Sequence, residues 1–136
     1  MITNASMTLY HRKLNLETGH YEYVRHFIPD IYWHTDQKVV VQEKGVQSAD
    51  VYKIRIPEEK LTGYVSPQQY HNLTESEEEY YWTVENQDIF VKGECELETI
   101  RSSADLEKKR YVFGIVNSWS DNRFGGIPHL RIGGVV

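Results

Sequence analysis

The chain has a single cysteine, Cys95, among its 136 residues, so no disulfide can form within it and the fold must hold without a covalent staple. It carries no CxxC or HExxH spacing, and its six histidines, His11, His20, His26, His34, His71 and His129, include no close pair. A metal centre could assemble from them only through folding, and no metal or other cofactor is expected. Apolar runs are short. None approaches the ~18 residues of a membrane-spanning helix, and no basic segment leading into an apolar one is present, so the expected compartment is the cytoplasm in which the chain is made. Positive charge is scarce too. Fifteen Lys and Arg against twenty Asp and Glu give a formal charge of −5, without the clustered cations that phosphate contacts require, which argues against sequence-specific DNA binding.

What the chain does have is enough for one domain, residues 1–136. Its length supports a single core, and 40% hydrophobic against 26% charged residues marks a folded chain, not a disordered one. Ten tyrosines favour strands and half-wet contact surfaces. The organising stretch is 111–132, YVFGIVNSWSDNRFGGIPHLRI. Tyr111, Val112, Phe113, Ile115 and Val116 form a nearly continuous apolar run, which predicts a central buried strand over 111–116.

The other strands follow from period two. Residues 7–14 alternate Met7, Leu9, His11 and Lys13 against Thr8, Tyr10, Arg12 and Leu14, predicting a strand with one exposed face. Residues 15–20, NLETGH, read as a hairpin turn. The strand after it, from Tyr21, is expected to end or lie at an edge at Pro29. Residues 31–33 resume, 35–38 turn, 39–41 begin another strand and 45–50 form a loop. Residues 51–56 alternate cleanly until Pro57. From there to Glu79 strand periodicity disappears. Ser66 before Pro67 predicts an N-cap and a short helical turn through Tyr70. Strands are expected over 81–84 and 89–96, joined by the turn 85–88, with a bend or bulge at Gly93. Ser102 and Asp105 predict the start of a short helix ending near Lys109. The sum is a mainly β domain of seven to nine strands, a small barrel or sandwich with one or two short helices.

Candidate chemistry is sparse. Glu75, Glu77, Glu78 and Glu79 place four carboxylates in five residues; a glycosidase pair needs one desolvated carboxyl, whereas such a run demands water. Trp33, Trp82 and Trp119 could line a sugar platform, or supply core bulk, which is the reading for Trp82. Cys95, between Glu94 and Glu96 in an expected strand, reads as inert. In the loop 120–126, SDNRFGG, Asp121, Asn122, Arg123 and Phe124 could contact a partner, with Arg123 and Phe124 as an anchor pair. The equally weighted reading is an internal turn with Arg123 paired inside its own domain. No residue set announces a reaction, so an enzyme is not expected.

Taken in order, TLYHR, YVSPQQY, WTVENQDIFVKGE, SADLEKK and VNSWSDNRFGGIPHLRIGG resemble a family of small proteins encoded among the head and tail genes of phages and prophages of Gram-positive bacteria. Within that neighbourhood the chain is similar to head-closure, or stopper-like, head-tail connector proteins. The resemblance implies a β-barrel virion subunit that forms a homo-oligomeric ring between the portal or adaptor and the tail. Double-stranded DNA would pass through it without sequence-specific binding. It also implies a mobile or lumen-facing segment, for which 60–79 with Glu75, Glu77, Glu78 and Glu79 is the candidate, since its lack of strand period and its carboxylates place it outside a packed core; the other reading is an outer surface loop that aids solubility. A net negative charge suits such a conduit, because an acidic lumen repels phosphate. The alternatives are a tail-completion or other minor virion protein, or a module that binds carbohydrate or a host surface.

Overall fold

The computed structural model of the protein describes residues 2–42 and 45–136. Six strands, β1 (Ala5–Leu14), β2 (Tyr21–Gln42), β3 (Gly45–Pro57), β4 (Ile89–Lys92), β5 (Phe113–Asp121) and β6 (His129–Val135), form one antiparallel sheet. The sheet closes into a barrel in the order β1-β2-β3-β6-β5-β4, with β4 back against β1. The mainly β domain expected from the sequence is thus present as a closed barrel. Three short helices join it, α1 (Pro67–His71), α2 (Glu75–Glu78) and α3 (Ala104–Lys108), with a 3-10 turn at Glu58–Lys60.

The strand count falls below the seven to nine expected because the chain is not broken at Pro29 or at 35–38 and residues 81–84 contribute only a bridge. Pro29 does not end its strand. Between the pairs Ala5↔Ile31 and Met7↔Ile28, β2 advances three residues while β1 advances two, and Asp30 takes a φ of +54°. The proline sits in a bulge where no ladder hydrogen bond is asked of it. The expected turn at 35–38 and loop at 45–50 are instead paired strand, Thr35↔Tyr52 through Gln42↔Gly45. Near the other end, residues 81–84 make only one bridge, Tyr64↔Trp82, and β4 stops at Lys92 before a bend at Gly93, whose φ is +87°.

Several local readings hold. The 15–20 turn closes with the Asn15 N–H donating to the His20 carbonyl at 2.9 Å. Ser66 caps α1 with a reciprocal bond to Gln69, and Pro67 takes the first helical position. At α3 the cap is Ser103 without a side-chain bond. Asp105 and Ser102 nevertheless accept the Arg101 and Ala104 N–H groups, at 2.9 and 3.3 Å.

Two cores explain why the sequence misjudged exposure. Inside the barrel, Met7, Leu9, Ile54, Ile56, Phe90, Val116, Leu130 and Ile132 pack with Leu61, Tyr64 and Trp82. On the outer face of β1 and β4, Tyr10, Ile89 and Val91 pack under Cys95, Ile100, Leu106 and Phe113. Met7 to His11 are therefore all buried, and β1 has no exposed face there. The segment 60–79, expected to lie outside any packed core, contributes Leu61, Tyr64 and Tyr70 as buried residues. Cys95 is buried beyond the end of β4, not in a strand, with its N–H on the Thr8 hydroxyl at 2.9 Å. The apolar run at 111–116 is also displaced. β5 starts at Phe113, Tyr111 is half-buried and Val112 exposed.

Closure of the barrel depends on Phe90, whose ring lies against Gly114 and Gly134. A Cβ on Gly114 would come 2.6 Å from Phe90 Cζ, and one on Gly134 would press the same ring and the Ile115 carbonyl, 2.7 Å away. We predict that Gly134→Ala destabilises the fold by about 1–3 kcal/mol through overpacking. Val116→Ala should cost about 1–3 kcal/mol by lost burial and an unfilled cavity. Urea midpoints of the two variants check both, and an unchanged midpoint would contradict the placement of that residue in the barrel interior.

Candidate functional site

Three places gather the residues of interest: the β5–β6 loop, the carboxylate run at α2, and the barrel end covered by α1. In the first, the Asn122 N–H donates to the His129 carbonyl at 2.9 Å and closes the hairpin. Arg123 donates from Nε and Nη2 to the Asp121 carboxylate at 2.9 and 2.7 Å, and its guanidinium lies 5.4 Å from the centre of the Tyr64 ring. Those hydrogen bonds hold the Asp121 carboxyl below the usual carboxylate range. Arg123 is thus paired inside its own domain with Asp121, as the turn reading had it. Phe124 is separate: it is 95% exposed, with Ile127 also exposed nearby.

The carboxylates of the second place are not a uniform wet brush. Thr74 caps α2, and Glu77 returns the bond by accepting from the Thr74 N–H and hydroxyl at 3.1 and 2.9 Å. Those donors hold the Glu77 carboxyl below its ordinary range. Glu78 is half-buried and ion-paired with Lys13 on β1. Glu75 and Glu79 are exposed. The tryptophans give no sugar platform: Trp33 and Trp82 belong to the core, and Trp119 packs partly against it.

The third place was invisible to spacing rules. On β1, His11 shares the inward parity of Met7 and Leu9, and it is only 4% exposed. Its Nδ1 lies 2.9 Å from Asp88 Oδ2, across 77 residues of chain. Asp88, fully buried in the turn before β4, also accepts the Arg12 N–H at Oδ1 and the Glu85 N–H at Oδ2, both at 2.9 Å. Asp88 already accepts two main-chain N–H groups and acts as an acceptor toward His11 too, which places that ring's hydrogen on Nδ1. Nε2 is buried with no hydrogen-bond partner, as is the hydroxyl of Thr83.

Both residues line a small cavity of about 100 Å³, together with Leu9, His26, Tyr70 and Trp82. Tyr70 meets the His11 ring edge-on at 5.0 Å between centres, and burial, then the nearby Glu78 and Asp88 charges, push its hydroxyl up to about 12. His26 stacks on Trp82 at 4.5 Å. The Trp82 indole N–H is itself committed to the Thr62 carbonyl at 2.9 Å. The one signal in the sequence was the alternation that set His11 on the same face as two core residues; Asp88 stood in a turn and gave none. Among the described residues, no three His, Cys, Asp or Glu side chains group closely enough to hold a metal ion.

Burial, then the Arg25 charge, lowers the pKa of His26 to about 4 from 6.5. The unfolded chain therefore binds a proton that the folded chain refuses, and stability falls as pH drops from about 6.5 to about 4 and not above that window. His26→Phe keeps a ring on Trp82 and removes this dependence. The variant's melting temperature should fall less than the wild type's between pH 7 and pH 5. Equal falls would mean that His26 titrates normally.

No curated protein and no solved structure matches the chain significantly. A family described as being of unknown function, DUF6751, matches residues 2–135. The match spans nearly the whole barrel, and the chain belongs to that family.

Proposed function

We propose that this protein is a structural subunit of a phage head-tail connector, a head-closure ring component placed between portal or adaptor and tail. The observation that carries the reading is the β2–β3 arm. A closed barrel has no free sheet edge, yet β1 pairs β2 only as far as Ile31 and β6 reaches β3 only at Val51. Beyond those limits, among the described residues, Gln37↔Asp50 through Gln42↔Gly45 have ladder partners only in each other. Six such pairs form a two-stranded ribbon about 20 Å long, at ~3.4 Å per residue. Its outer main-chain groups offer hydrogen bonds to another copy, and a ribbon that leaves one subunit for the next is a heterologous contact that closes rings.

The rest of the molecule is compatible with that use. Phe124 and Ile127 stand exposed on the β5–β6 loop, next to the Pro57↔His129 end of β3 and β6, whereas the arm leaves from the Val51↔Val135 end. Opposite ends of one barrel thus carry two different contact features. The charge of −5, with Glu75 and Glu79 free on the surface, suits a conduit that DNA traverses without adhering. In this reading the protein acts by assembly, with portal or adaptor and tail proteins as its neighbours in the virion.

Two tests follow. Replacing residues 37–50 by an Asn-Gly turn should abolish ring assembly, seen by native mass spectrometry and by copurification with the portal complex, while the barrel still melts cooperatively. Rings that form without the arm would refute its role. Phe124→Ser should weaken assembly with little change in melting temperature, since the ring is solvent-exposed. Assembly unaffected by that change would remove the loop from the interface.

A further inference from the structure

The cavity at the α1 end of the barrel is lined by no residue of the β2–β3 arm or the β5–β6 loop, and it contains two polar atoms that folding leaves without partners. Burying such an atom unpaired is unfavourable, so His11 Nε2 and the Thr83 hydroxyl, both buried and on one cavity, ask for an occupant. Asp88 decides the occupant's chemistry. By accepting the hydrogen bond of the His11 Nδ1–H it leaves the lone pair on Nε2, and the site calls for a hydrogen-bond donor. The Thr83 hydroxyl can accept a second.

Charge and walls narrow the class further. Glu79 and Glu78, the latter ion-paired with Lys13, line the cavity beside one cation, Arg25, whose Nε donates to the Cys95 carbonyl at 3.0 Å. The rings of Tyr70, Tyr81 and Trp82 supply aromatic surface of the kind that attracts cations. A cavity of about 100 Å³ is more than one water needs and admits a group of a few heavy atoms. Val24 and Tyr81, each 42% exposed, form the mouth through which a longer chain could trail.

We infer that this cavity binds a primary ammonium group, a small free amine or the end of a longer one, which donates to His11 Nε2 and to Thr83 Oγ1 within the aromatic wall. The imidazole acts as an oriented acceptor, with Asp88 as its positioning residue. The site is independent of the ring-forming role.

The test is a titration of the full chain with methylammonium chloride, followed by the 15N resonances of the His11 ring, with sodium chloride and tetramethylammonium chloride as controls. Tetramethylammonium matches the charge but has no N–H and exceeds the cavity. The expected result is a saturable shift of the Nε2 resonance with methylammonium alone. Thr83→Val keeps the shape of the side chain, and it should weaken binding about three- to tenfold, the worth of one hydrogen bond. A His11 resonance that responds no more to methylammonium than to sodium would show a cavity holding water only and overturn the proposal. So would an equal response to tetramethylammonium, or undiminished binding by Thr83→Val.

Discussion

Closure of the sheet is the constraint on which the rest of this molecule depends. β1 is held on one side by β2 and on the other by the four-residue β4, so the ring is completed by its shortest strand. That is possible because Phe90, at the centre of β4, fills space vacated by the glycines of β5 and β6. With a side chain at Gly114 or Gly134, the wall would be held off the Phe90 ring and the ladder from β4 to β5 would separate. A barrel closed in this way pairs most of its strand main chain. Among the described residues, strands outrun their neighbours in the β2–β3 arm and where β1 and β2 continue past β4, from His11↔Val24 to Leu14↔Tyr21.

Closure also decides what becomes of the segments that are not strand. A barrel of six strands has an interior just wide enough for side chains and two ends that need covering. Leu61, Tyr64 and Trp82 cover one of them, and the bridge between Tyr64 and Trp82 ties the two passes of chain together. Residues 93–113 cover the outer face of β1 and β4 instead, anchored where the Thr8 hydroxyl donates to the Gly93 carbonyl at 2.9 Å and the Tyr10 hydroxyl donates to the Leu97 carbonyl. The His11–Asp88 pair lies where the inward face of β1 meets α1. Its buried polarity is a consequence of β1 continuing inward-facing alternation one position past Leu9, into a region that Tyr70 then shields from water.

The sites differ in how far they could be read from the chain. The Asp121–Arg123 pairing is two residues long, and turn chemistry already offered it as one of two readings. Ser66–Pro67 is likewise local, and its cap formed as expected. Phe124 could be named but not placed, because exposure depends on what else packs nearby. The carboxylate run looked uniform in sequence. It divided into a capping residue, an ion pair and two free groups only when Lys13 came across from β1.

By itself the sequence determined the strand-rich class, the 15–20 hairpin, the alternation of β3 and the capped start of α1. Each of these rests on contacts or periodicities within a few residues, where steric preference and side-chain chemistry act directly on the backbone. Tertiary structure alone decided that Pro29 would sit in a bulge, that 37–42 and 45–50 would form an arm, and that the segment after Pro57 would be packed and not loose. It alone joined His11 to Asp88. Those outcomes depend on pairing partners tens of residues away and on which face the closed sheet turns inward, and no local pattern encodes either.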